Sequence, residues 1–173
     1  RGRAVQLARN ACNAGNTTAC YYLASWGEGA GIPSEQIQKG LGGIEYSCQL
    51  GEAQSCVSAG LAYKQGYGVR ADRAKALQFQ ERACDLGNLD GCYNFGATLV
   101  AGGSTAEKAR AAQIFEEACD AGEMWSCASH GQNLYLGLDG VAKNRRAGRR
   151  LLRESCEAGA PLGCQALEAF DLN

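Results

Sequence analysis

Residues 84–92 read Cys84-Asp85-Leu86-Gly87-Asn88-Leu89-Asp90-Gly91-Cys92, two cysteines eight positions apart with a glycine three after the first. The same frame occurs five times, as Cys12 and Cys20, Cys48 and Cys56, Cys84 and Cys92, Cys119 and Cys127, Cys156 and Cys164, and it uses all ten cysteines of the 173-residue chain. Gly15, Gly51, Gly87, Gly122 and Gly159 hold the glycine position, and the first cysteines advance by 36, 36, 35 and 37 residues. A period in that range marks a stacked array, in which units too small to fold alone bury one another's apolar faces. The expected architecture is all-α: an α/α superhelix, or solenoid, of about five helix-pair repeats in one domain over 1–173, with joints at 12–20, 48–56, 84–92, 119–127 and 156–164.

Working outward from the joint, a glycine just past a helix end takes the left-handed conformation that satisfies the last carbonyls. Each first cysteine then belongs to the last turn of one helix and each second cysteine to the first turns of the next. A bridge from i to i+8 staples the antiparallel pair. Zinc is the competing use of paired cysteines, but structural sites want four ligands close together, whereas each repeat offers two. An even cysteine count at fixed spacing fits disulfides, with no metal and no cofactor, and places the protein in an oxidising compartment, secreted or periplasmic.

Composition narrows the classes further. A hydrophobic fraction of 46% suffices for a continuous core, and no apolar run approaches a membrane span, so membrane insertion is not expected. A formal charge of −1 argues against a general nucleic-acid binder. Residue 1 is arginine and no signal peptide follows, which suggests a fragment or processed form of a longer chain.

Alignment on the first cysteine exposes the packing code. Eight positions before it stand Ala4, Gly40, Ala76, Ala111 and Gly148, and one before it Ala11, Ser47, Ala83, Ala118 and Ser155. Small side chains there let helix backbones approach, while Leu7, Ile44, Phe79, Ile114 with Phe115, and Leu151 with Leu152 fill the space between. Helix starts are legible at Ser104-Thr105-Ala106-Glu107, which has capping-box form, at Pro33-Ser34, and at Asp72 and Asn144. Ten helices are expected, the last from Pro161 to Phe170.

The run carrying Gly60, Tyr63, Gly66, Gly68, Val69, Asp72, Lys75 and Ala76, closed by Ala83-Cys84-Asp85-Leu86-Gly87, resembles the Sel-one-like repeat, a relative of the tetratricopeptide repeat. With its paired cysteines the whole chain is similar to the Helicobacter cysteine-rich protein family of secreted, disulfide-stapled arrays. The first unit departs from the pattern, with Ala24 at the Gly60 position and Gly27 where Tyr63 stands. The resemblance implies a non-catalytic scaffold that binds a protein or an extended peptide. It also brings two alternatives: weak penicillin binding or β-lactamase-like hydrolysis, and an assembly role in the mitochondrial intermembrane space.

In tetratricopeptide-like arrays the first helix of each pair lines the concave face. Positions +2, +5, +6 and +9 from the second cysteine make one stripe on that helix. The peptide-binding candidates on it are Tyr22, Trp26, Ser58, Gln65, Asn94, Thr98, Ser129, Gln132 and Asn133. Amides and hydroxyls suit a peptide backbone, and Tyr22 and Trp26 offer flat apolar contact. No catalytic residue is assigned. The one histidine, His130, stands where other units place Leu23, Ala59, Phe95 and Leu167, so it is expected to pack. No serine–lysine, nucleophile-elbow, zinc-helix or phosphate-loop motif accompanies it. Arg146, Arg149, Arg150 and Arg153 share one helix face, read as a solvated face with Arg150–Glu154 and Arg153–Glu157 pairs or as a dock for an acidic partner. A monomer is expected.

Overall fold

The structure, a computed structural model, describes residues 2–26 and 31–170. Among them are ten α-helices and no strand: α1 (Gly2–Asn13), α2 (Thr17–Ser25), α3 (Ser34–Gln49), α4 (Ala53–Gln65), α5 (Arg73–Asp85), α6 (Leu89–Val100), α7 (Thr105–Asp120), α8 (Met124–Leu136), α9 (Arg145–Glu157) and α10 (Pro161–Ala169). The chain divides into two compact units, Arg1–Gly91 and Cys92–Asn173. The Gly27 reading lies outside the described residues.

Each joint closes in the same way. Gly15, Gly51, Gly87, Gly122 and Gly159 all have φ between 80° and 96°, the left-handed region. That turn lets the next residue's N–H reach back to the carbonyl before the first cysteine: Asn16 to Ala11, Glu52 to Ser47, Asn88 to Ala83, Glu123 to Ala118 and Ala160 to Ser155, at 2.8–3.1 Å. These are six-to-one bonds that satisfy carbonyls a helix end leaves open. The reversal brings the paired cysteines' Cα atoms to 4.8 Å at Cys12–Cys20, 4.7 Å at Cys48–Cys56, 4.5 Å at Cys119–Cys127 and 4.7 Å at Cys156–Cys164, all within bridging distance. Cys84 and Cys92 are likewise oxidised and no cysteine is free. Side-chain caps start the following helices: Asn16 accepts from Ala19 N–H at 3.0 Å, Asp72 from Lys75 at 3.1 Å and Asn144 from Ala147 at 3.1 Å. At Ser104 the full capping box is present.

In the first unit α1 packs on α2, α2 on α3, α3 on α4 and α4 on α5. The centre holds Tyr21, Leu41, Ile44, Ala59 and Ala62, with Ile37, Val69 and Phe79 against it; a second cluster joins Cys48, Cys56, Val57 and Ala83. Close approach rests on Gly40, where a Cβ would fall 2.1 Å from the Thr17 carbonyl oxygen. Arg82 of α5 donates from Nε to the Cys48 carbonyl at 3.1 Å and from Nη2 to that of Gln49 at 2.9 Å, a cation set on the C-terminus of α3. In the second unit α7 packs on α8, α8 on α9, and α10 on both α8 and α9. Leu152, Ala166 and Leu167 form its terminal core.

The small-residue code holds for Gly40, Ala76, Ala111 and Gly148, and for Ala83, Ala118 and Ser155, all buried, while Ser47 is only half-buried. It fails on α1, where Ala4 is exposed, Ala11 is only half-buried and Leu7 is 61% exposed. The packing of α1 is chiefly on α2, where Val5 and Ala8 meet the cluster of Cys12, Cys20 and Leu23.

Gln80 takes the place where α3, α7 and α9 carry Ile44, Phe115 and Leu152, and it is fully buried. Neither amide atom has a hydrogen-bond partner among the described residues. An unpaired buried amide costs about 1–3 kcal/mol. Gln80→Met keeps the unbranched shape and removes both polar atoms, so it is expected to raise stability by about 1–2 kcal/mol in urea unfolding. A loss of stability on that change would mean that the amide is satisfied in solution.

Candidate functional site

The candidate stripe is assembled from first helices of successive repeats. In the first unit Tyr22 of α2 stacks on Trp26, with ring centroids 6.2 Å apart and planes at 29°. Ser58 of α4 donates its one proton to the Gln54 carbonyl at 3.1 Å, so the Tyr22 hydroxyl, 3.4 Å away, is the donor to Ser58 Oγ. Its neighbour Tyr21 turns inward, meets Tyr22 edge-on at 5.5 Å and donates to the Ser58 carbonyl at 3.2 Å. Burial, with Tyr22 and Tyr67 nearby, pushes the Tyr21 phenol up to about 12, so it stays a neutral donor. Trp26 remains 42% exposed, Gln65 is exposed, and Tyr22 and Ser58 are half-buried. Four of the nine candidates thus lie on the accessible side of α2 and α4.

In the second unit Asn94, Ser129 and Gln132 are half-buried, but Thr98 and Asn133 are 3% and 7% exposed. These two do not belong to the accessible stripe. Both stand at position +6, as does fully buried Ala62. Position +6 lies one helical turn from +3, the packing position of Ala59, Phe95 and His130, and so it faces inward with them. Trp26 escapes because α2 ends at Ser25, which leaves the tryptophan at the helix cap.

An aromatic pair that the stripe omitted stands beside Ser129. Trp125 is 40% exposed and lies 5.7 Å from Tyr93, which also meets Phe115 at 6.2 Å. Burial, and then the charge of Glu123, holds the Tyr93 phenol above its usual range. Ser129 donates to the Trp125 carbonyl at 3.1 Å. The sequence signal was the second of only two tryptophans, placed at a helix start where no core position was due.

His130 packs, 8% exposed, with Nδ1 buried and no hydrogen-bond partner among the described residues. It lines a cavity of about 430 Å³ with Glu116, Leu134 and Asp139. Among the described residues no cluster of three or more His, Cys, Asp or Glu could hold a metal, and no helix is long and apolar enough to cross a membrane. Of the two expected ion pairs on α9, Arg150–Glu154 forms at 3.7 Å, while Arg153 has no partner among the described residues.

Comparison with known proteins bears on the same frame. The Sel1 repeat model matches residues 17–45, 53–88, 91–123 and 126–159. A curated relative, cytochrome c oxidase assembly factor 7A of Xenopus laevis, is 37% identical over 78 residues, 44% of this chain and 33% of that protein, so the match spans about a third of the relative's length. Among solved structures, a Sel1 repeat protein from Oxalobacter formigenes superimposes with a TM-score of 0.72 at 17% identity, over 95% of this chain and 67% of that one. A protective antigen of uropathogenic Escherichia coli displaying an SLR fold gives 0.68 at 22%, over 87% and 32%. Helicobacter pylori cysteine rich protein B gives 0.49 at 29%, over 74% and 92%.

Proposed function

The chain belongs to the Sel1 repeat family, and from that premise we propose that it is a non-catalytic scaffold which binds an extended peptide segment of a partner protein. The oxidised cysteines fit an oxidising compartment, and we place the protein among secreted or periplasmic ones. One observation carries the binding reading: an exposed tryptophan stacked on a tyrosine whose hydroxyl is tied to the next repeat. Flat aromatic anchors held in place lose little entropy on docking and dominate binding energy at interfaces. In the second unit Trp125 and Tyr93, with Ser129, Gln132 and Asn94 nearby on α8 and α6, take the same role. Backbone amides of the ligand would find acceptors and donors in Gln65 on the first unit, or in Asn94 and Gln132 on the second.

Selection from a displayed random-peptide library on the oxidised protein tests the reading. Enriched peptides are expected to lose at least about tenfold in affinity on Trp26→Ala or Trp125→Ala, as anchor residues do. Peptides that bind both variants as they bind the wild type would place the site elsewhere. A second reading, assembly of a partner complex in the mitochondrial intermembrane space, has in its favour the 37% identity over 78 residues to the frog assembly factor. Its mark would be capture of a subunit of a respiratory complex rather than of an exported protein.

A further inference from the structure

Helix α9 carries five arginines in nine positions, Arg145, Arg146, Arg149, Arg150 and Arg153, in a chain of formal net charge −1. All five line one groove of about 1100 Å³, with Tyr135 of α8 in its wall. The groove is a surface that the peptide stripe does not use. Arg145 lies over the Tyr135 ring, 5.6 Å from its centroid, and that ring stacks on Phe170 at 4.8 Å, which fixes the wall. Arg146 and Arg153 have no ion-pair or hydrogen-bond partner among the described residues, and Arg150 meets Glu154 only at 3.7 Å with both side chains largely exposed.

Helix polarity sharpens the argument. The N-terminus of a helix carries the positive end of its dipole, and helix stability favours acids there. Helix α9 has no acid in its first turn and begins Arg145-Arg146. The dipole therefore adds to the field of the arginines. Stability alone would have placed the charges the other way round.

We propose that this groove binds a short acidic peptide segment of a partner protein, whose carboxylates take the arginine forks. Guanidinium groups suit carboxylates because two parallel N–H donors match two oxygens. From Arg145 to Arg153 the helix rises about 12 Å, the length of roughly four extended residues. Glu154 and Glu157 line the groove beyond the arginines. Their charge limits the run of acids it accepts and disfavours long polyanions such as nucleic acid or a phosphatidylserine surface.

Fluorescence anisotropy of the whole oxidised protein with a fluorescein-labelled peptide containing four consecutive glutamates tests the proposal. The wild type is expected to bind it with an affinity that falls as salt rises, and to ignore a four-lysine peptide. The charge-reversed variant Arg146→Glu/Arg153→Glu is expected to bind at least about tenfold more weakly. Both sites are exposed and neither side chain has a partner among the described residues, so the variant is expected to fold, and helicity by circular dichroism checks it. Three results would overturn the proposal: no binding by the wild type at low salt, unchanged binding by the variant, or tighter binding of a single-stranded oligonucleotide or a phosphatidylserine vesicle than of the acidic peptide.

Discussion

Replacing Cys48 and Cys56 together with alanine lowers stability by about 3–4 kcal/mol, read from urea unfolding at constant pH. About 2.5 kcal/mol of this is the loop-closure entropy that a bridge across eight positions removes from the unfolded chain. The rest comes from packing. Both cysteines are fully buried against Val57 and Ala83, so deleting two sulfurs leaves voids that their neighbours fill only in part. The same burial sets the order in which reductant acts. Thiolate attack needs access to a sulfur, and Cys156 and Cys164 are both half-buried where Cys48 and Cys56 are sealed. Brief treatment with reductant followed by alkylation and mass spectrometry should label the 156–164 pair well before the 48–56 pair. Simultaneous labelling of both would mean that reduction proceeds through global unfolding.

Gly148→Ala has an effect of similar size from the opposite cause, overpacking. A Cβ there would lie 2.6 Å from the Gly131 carbonyl oxygen, 2.7 Å from the Tyr135 nitrogen and 2.9 Å from the Tyr135 Cα, all backbone atoms of α8. No rotamer change relieves that contact, so α8 and α9 must separate, at a cost of about 3 kcal/mol. Two other glycines calibrate it. Gly159 has φ of 87° with nothing within 4 Å of a Cβ, so Gly159→Ala costs only the left-handed conformation, about 1–2 kcal/mol. Gly42 lies inside α3 with open space around it, and Gly42→Ala is expected to stabilise by about 0.5–1 kcal/mol. Chemical denaturation of the three variants should return three different results from one substitution. Equal losses at Gly148 and Gly159 would show that the helix pair yields where its backbone contacts suggest it cannot.

The joints were legible because each is a local event. A cysteine in a last helical turn, a glycine three residues on and a second cysteine in the next first turn lie within nine positions, and left-handed φ at the glycine follows from chemistry that any sequence displays. Caps at Asp72, Ser104 and Asn144 were legible for the same reason. The candidate site was read less well. Tyr22 and Ser58, both at +2, meet across one repeat step as their shared register suggested, while Trp26 joins Tyr22 because α2 ends before it. Thr98 and Asn133 turn inward because the boundary between the packing side and the open side of a helix falls between +5 and +6, closer than pattern reading resolves. Trp125 joins Tyr93 through a contact between neighbouring repeats at unlike register positions, +1 and −2, which no single alignment column reveals.

By itself, then, the sequence determined the repeat, the positions of the turns and the pairing of the cysteines, because each depends on residues near in the chain. Tertiary structure alone decided which side chains remain open to a ligand and how the α9 arginines share one groove with Tyr135. Exposure is a property of what packs opposite. Gln80 and Ile44 hold the same register position and are both buried, yet only the surrounding helices reveal that the amide of Gln80 has no partner among the described residues.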